Sequence, residues 1–354
     1  MQQFTQRWLA FLLAWAAYLF FPVPATAHFS DTSLIDGYLD AYEKLQAILQ
    51  QNGSFKEAVF ISENAYFRNN LSEDLFYEAI HNNKNIIQAA CTNSKSANYK
   101  NRDSSNYQLN YTISKLYTDT IAVTFDGKQY THAPFRYSFT DPLGKQDWGN
   151  MLVTKLLATH QGNCHSLAYL YKILANETGA TCWLALAPNH MYIKNYSEKT
   201  GWYNTELTSG TFPTDAWLMS TGYVNPEAIK SGLYMDTLSN QQSIALCVLD
   251  LAKAYAFQTH RYYDGFILQC CNLALKYHPV NPMALLLKAE TLKKIYVHEY
   301  EMNDSGSAAT LAQMQQAYIT LAKLGYREMP EKMYRQWLQE ITMQKQPYKQ
   351  KPKR

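Results

Sequence analysis

Apolar residues recur with helical period along most of the chain and with strand period in a few short stretches. Leu34, Tyr38, Tyr42, Leu45 and Leu49 share one face of a helix over Ser33 to Gln51, and Asn52-Gly53 ends it. Two further helices are predicted over Phe55 to Phe67 and Ser72 to Cys91, the second with Ser72 as N-cap and Glu73 and Asp74 in its first turn. Thr92 to Tyr111 is polar and rich in Asn and Ser, which predicts a loop. Thr118 to Phe125 alternates, and Asp126-Gly127 turns it into Lys128 to Thr131. A helix capped by Asp147 is expected through Trp148, Met151, Leu152, Lys155 and Leu156. After it comes a strongly apolar helix, Leu167 to Asn176, stopped by Gly179. Thr181 to Ala187, Met191 to Asn195 and Gly201 to Leu207 read as three consecutive strands. A helix followed by three strands is the α+β arrangement of a papain-like core.

Beyond a loop-rich stretch, Thr208 to Gln242, the pattern is helix after helix: Ser243 to Gln258, Arg261 to Tyr277, Asn281 to Glu299 and Ala308 to Leu324. These make two pairs of about 35 residues that resemble degenerate tetratricopeptide repeats. The usual Trp-x-x-Leu-Gly opening is missing, and two repeats are marginal as a solenoid, so the pairs are expected to pack on the core. The chain thus divides into a helical N-terminal region with a small hairpin (28–135), the α+β core (136–242), a helical domain (243–343) and a basic tail (344–354).

The first 27 residues change the picture of where the protein works. Arg7 precedes an apolar run from Trp8 to Phe21, Pro22 and Pro24 break it, and Ala25-Thr26-Ala27 has the small-x-small form of a signal-peptidase site. The expectation is an exported protein, periplasmic or secreted, with no stable membrane insertion after cleavage. Net charge is +3, and Lys345 to Arg354 alone carries five positive charges, so the body is near neutral and no nucleic-acid partner is expected. The six cysteines (Cys91, Cys164, Cys182, Cys247, Cys270, Cys271) match neither a disulfide framework nor a zinc-ligand spacing. No metal and no organic cofactor is expected.

Cys164 stands apart. Gly162-Asn163-Cys164-His165-Ser166 sets a cysteine at the first turn of a helix, where free N–H groups and the helix dipole favour a thiolate and can hold an oxyanion. His190, at the start of a strand, is the candidate proton partner, and Glu206 or Asn204 on the next strand the group that orients it. Glu206 is favoured because a carboxylate also stabilises an imidazolium. Gln161 is a candidate oxyanion donor and Trp202 a candidate pocket wall. His160 and His165 are expected at the rim or on the substrate side.

Gly162-x-Cys164-x-Ser166, then Pro188-x-His190 opening a strand, then Trp202 four residues before an acid, resembles the transglutaminase-like superfamily over roughly Trp148 to Leu207. The resemblance implies Cys164 as nucleophile, His190 as general base and acid, and position 206 as orienter; Glu206 departs from the usual Asp. It implies a thiol enzyme that cleaves or transfers acyl groups at amide bonds of peptides or proteins. The alternative is an inactive scaffold of the same fold, with the C-terminal helices as a protein-binding surface.

Overall fold

The computed structural model describes residues 31–93, 99–125 and 127–344. The expected signal segment 1–27, Asp126 of the hairpin turn and all but the first residue of the basic tail lie outside these. The chain is a mixed α+β structure dominated by helix, with small sheets. Among the described residues no helix is long and apolar enough to cross a membrane.

Three N-terminal helices, α1 (Asp31–Gln51), α2 (Phe55–Tyr66) and α3 (Glu73–Asn93), follow the predicted pattern. Asn52 leaves α1 in the left-handed region at φ 50°, a conformation Asn tolerates, and Ser54 caps α2 by accepting the Glu57 N–H. The expected loop at Thr92 to Tyr111 is partly wrong, because α4 (Ser104–Lys115) forms there. Its polar residues face inward: Asn110 donates to the Thr181 carbonyl, and its own carbonyl accepts the Tyr171 hydroxyl. Tertiary hydrogen bonds supply what apolar periodicity did not. Strands β1 (Ile121–Phe125) and β2 (Lys128–His132) then pair as the predicted hairpin.

Strand β3 (Arg136–Tyr137) runs parallel to β4 (Gln161–Gly162). Between them Asp147 caps a 3-10 turn, Trp148–Met151, rather than the expected helix. The helix itself, α5 (Val153–Thr159), begins after Leu152, which makes no side-chain cap. Its first N–H groups are captured by the buried Glu63 of α2, at 2.6 Å from Val153 N and 2.8 Å from Thr154 N. Burial pushes the Glu63 carboxyl up to about 7, against the lowering influence of those hydrogen bonds.

Helix α6 (Cys164–Thr178) is buried on nearly all sides, consistent with its unbroken apolar run, and Gly179 at φ 81° ends it. It packs against α3 and α4 and against the antiparallel sheet of β5 (Trp183–Ala187), β6 (His190–Ser197) and β7 (Gly201–Thr205), in that order. The stretch after Glu206 contains two short helices, α7 (Asp215–Thr221) and α8 (Pro226–Lys230), that the loop-rich reading passed over.

The C-terminal helices α9 (Asn240–Thr259), α10 (Phe266–Tyr277), α11 (Pro282–Glu301) and α12 (Ser307–Lys323) stand close to where periodicity set them. Helix α9 packs on α1 and α2 as well as on α10, so the N- and C-terminal helices meet. One apolar core runs from Tyr38 to Leu338, and a second small cluster of Leu285, Ala289, Ala317 and Leu321 packs α11 on α12. A last helix, α13 (Glu331–Gln344), was not anticipated. It buries Tyr334, Trp337 and Leu338.

Candidate active site

The start of α6 is built by a capping box. The Asn163 side chain accepts the N–H groups of His165 and Ser166, and Ser166 Oγ accepts the Asn163 N–H at 3.1 Å. Ser166 also donates to the Asn150 carbonyl at 3.0 Å. A side chain at position 162 would place its Cβ 2.2 Å from Ser166 Oγ, so only glycine fits there. Gly-x-Cys-x-Ser is therefore a packing requirement of this turn. It leaves the Cys164 N–H, at the positive end of a 15-residue helix, without a partner among the described residues.

His190 arrives through a two-residue hairpin. Ala187 pairs with His190 across Pro188-Asn189, and Asn189 takes the left-handed conformation, φ 54°, that such a turn needs. Its Nε2 donates to Glu206 Oε2 at 2.6 Å. Glu206 lies one residue past β7, in a tight turn where its backbone bridges Thr211, and its other oxygen, Oε1, accepts the Thr208 N–H at 2.8 Å. Both carboxylate oxygens are thus engaged, and the longer Glu side chain reaches the imidazole. Burial is the largest influence on His190 and opposes its charged form. The Glu206 carboxylate, then the hydrogen bond and charge of Cys164, outweigh it and hold the imidazole well above its ordinary value, at about 10. Glu206 is likewise pushed up by burial but held below the usual carboxylate range by His190 and Thr208.

His190 Nδ1 is buried and makes no hydrogen bond of ordinary length. Cys164 is near enough to raise the His190 pKa further, though no hydrogen bond joins it to Nδ1. Cys164 and His190 are 8 % and 7 % exposed, and both line a cavity of about 350 Å³. Its walls come from the Cys164 turn, the β5–β6 hairpin, Lys253 of α9, the first half of α11 and the 326–329 segment. The helical C-terminal region therefore forms one wall of the site. Among the cavity residues Cys164 is the one cysteine. Burial pushes the thiols of Cys182, Cys247, Cys270 and Cys271 up, and all six cysteines are free.

Helix α13 covers the other side of the pair. The Trp337 ring meets the His190 imidazole edge-on, centroids 4.6 Å apart, and stacks on Tyr334, which is buried with it. Next to Cys164, His165 lines the cavity but is buried and held at both nitrogens: Nδ1 bonds the Met151 carbonyl at 2.9 Å and Nε2 the Asp250 carboxylate of α9 at 3.0 Å. Tyr169 donates to the same carboxylate at 2.7 Å. His160 caps α5, its ring stacked on Phe135 and bonded to the Ala133 carbonyl.

The remaining candidates are not brought to the cavity. Asn204 turns away and donates to the Pro213 carbonyl and Asp215. The register explains it: Asn204 faces Lys194, four residues from His190, or about 13 Å along a strand. Gln161 is exposed in β4 and does not line the cavity. Trp202 is 52 % exposed and packs edge-on against Trp183 and Tyr196 on the outer part of the sheet, so it shields nothing at the site. Among the described residues no group of three or more His, Cys, Asp or Glu is gathered as metal ligands would be. The residues missed from sequence are Asp250, Lys253, Tyr334 and Trp337. Only the last two carried a signal, an apolar i, i+3, i+4 spacing after Pro330.

No protein family, curated protein or solved structure matches the chain.

Proposed function

We propose that the chain is a thiol enzyme with a transglutaminase-like, papain-like core, exported from the cytoplasm, which cleaves or transfers acyl groups at amide bonds of peptides or proteins. One observation carries this reading: His190, bonded to Glu206 through Nε2, presents an unbonded Nδ1 beside a helix-terminal cysteine at the wall of a cavity.

The Cys164 sulfur attacks the substrate carbonyl while its proton passes to His190 Nδ1. Negative charge collects on the carbonyl oxygen, to which the free Cys164 N–H is placed to donate. The tetrahedral adduct collapses as the imidazolium returns the proton to the leaving amine, giving a thioester on Cys164 and a free amine. Water, or a second amine, then attacks the thioester with its proton taken by His190, and Cys164 leaves as acid or amide is released. Glu206 orients the ring and stabilises the imidazolium in both halves. The raised basicity of the imidazole favours its holding the proton that Cys164 gives up.

The cover of Trp337 and Tyr334 over the pair favours one competing reading, an inactive scaffold whose helices bind a partner. A profile of products from peptide and cell-wall peptide libraries, wild type against Cys164→Ala, separates the two. Products that depend on Cys164, with an acyl adduct at that residue by mass spectrometry, are expected. Product profiles identical for the two proteins, with no adduct, establish the scaffold.

A further inference from the structure

Lys253 is a charge that the proposed chemistry does not use. It projects from α9 into the same cavity as Cys164 and His190, half-buried, with no hydrogen bond or ion pair among the described residues. Its nearest acid in sequence, Asp250, is one helical turn earlier but makes no ion pair with it; Asp250 Oδ2 accepts from His165 and Tyr169, and Oδ1 is buried without a hydrogen bond. Desolvation lowers the Lys253 pKa, against the raising charge of Asp250.

The other charged residues lining the cavity are Arg327 and Glu290, besides the two histidines. Glu290 accepts the Tyr318 hydroxyl, and Arg327 is exposed at the outer end. The rest of the wall is dominated by apolar side chains such as Leu186, Met283 and Leu287. A ligand that satisfies this lining has an apolar body and one negative group. An unpartnered ammonium in an apolar enclosure discriminates strongly, because leaving it unpaired is costly.

We infer that Lys253 is a substrate-carboxylate anchor, and that the enzyme acts on acyl groups carrying a free carboxylate at the end of an apolar arm. The inference rests on the thiol-enzyme reading for its reaction. The carboxylate seats on Lys253 and the arm fills the cavity, which delivers the carbonyl to Cys164.

The probes are the 4-nitrophenyl monoesters of adipic and suberic acid, each compared with the same ester whose far carboxylate is methylated. Nitrophenolate release is read for wild type, Lys253→Met and Lys253→Arg, with Cys164→Ala as blank and rates normalised to hydroxide. Wild type is expected to prefer the free acid in kcat/KM by about tenfold or more, the ratio one charged hydrogen bond supports. Lys253→Met brings that ratio towards one, and Lys253→Arg keeps most of it. A wild-type ratio near one, or a ratio unchanged in Lys253→Met, overturns the anchor while leaving the thiol enzyme standing.

Should none of the esters acylate Cys164, the thiol-enzyme reading fails and the anchor is read by binding alone. Monomethyl suberate should then raise the melting temperature of Cys164→Ala where dimethyl suberate does not, and the difference should vanish on adding Lys253→Met. Equal shifts for the two ligands overturn the anchor.

Discussion

Two histidines bonded to carboxylates line the cavity beside Cys164, and they differ in what they leave free. His165 has both nitrogens engaged, one by the Met151 carbonyl and one by Asp250. His190 has Nε2 on Glu206 and Nδ1 unbonded. A histidine held at both ends ties elements together, here the Cys164 turn to α9 of the C-terminal region. One held at a single end can receive a proton. Proximity in sequence misleads on this point, since His165 is adjacent to the thiol and His190 is 26 residues away.

The sharpest way to break the comparison is to remove each ring. His190→Ala should slow acylation of Cys164 by about a thousandfold, within the range for loss of a general acid–base, and also cost about 3 kcal/mol of stability, because Glu206 is left buried with the Thr208 N–H alone. His165→Ala should cost about the same stability, because Asp250 is left buried with Tyr169 alone. Acylation by the surviving folded fraction should fall far less than in His190→Ala. Urea titration and nitrophenyl-ester kinetics on the same samples read both. Equal kinetic losses in the two variants would erase the distinction.

Glu206 sharpens the role of the engaged nitrogen. Glu206→Gln keeps a hydrogen-bond acceptor but loses the charge that holds the imidazolium. Acylation should drop by about a hundredfold, and the remaining rate should acquire a pH dependence nearer an ordinary histidine, about 6.5. A rate unchanged across pH in this variant would show that the carboxylate does not set the basicity of His190.

How much of this was legible in the sequence depends on whether a residue acts locally. Gly162, Asn163, Cys164 and Ser166 form one helix start, and the constraint on each is met within five residues, so the motif was readable. The Pro188-Asn189 turn fixes His190 just as locally. Asp250, Lys253 and Trp337 reach the site only because the C-terminal helices fold over it, and nothing near them in sequence records that. Helix α4 was missed for a related reason: its inward face is polar and is satisfied by residues far along the chain, such as Thr181 and Tyr171. The choice between Glu206 and Asn204 was open because both share a strand face; the register against β6 decides it.

A smaller effect concerns stability against pH. The raised His190 contributes fully below about pH 6.5 and loses its contribution as pH rises through about 10. The lowered Glu206 contributes above about pH 4.3 and loses its contribution as pH falls through its depressed folded value. The extra stability of wild type over Glu206→Gln should therefore be greatest and nearly flat around pH 5 to 6.5, the region where both contributions are complete. It should decline on the alkaline side towards pH 10, and on the acid side only once pH drops below about 4. Denaturant midpoints measured across that range check it. A gap that grows with alkalinity would mean that the pair is not an ion pair.

The smallest expected change distinguishes a removable cover from a built-in wall. Trp337 is 5 % exposed and rests on the His190 ring, and truncating such an aromatic in a central core costs about 3–5 kcal/mol. Helix α13 is the last described element, however, so its loosening need not involve the global transition. Trp337→Ala should leave the melting temperature within a few degrees of wild type while making the 331–344 segment easier to cut by protease. Alkylation of Cys164 by a bulky maleimide should then rise several-fold, and alkylation by iodoacetamide, small enough to enter through the cavity, should change less than about twofold. If both reagents slow together, Trp337 is holding the imidazole in place rather than covering it. That outcome would place α13 on the same footing as Glu206, as a support on which the free nitrogen of His190 depends.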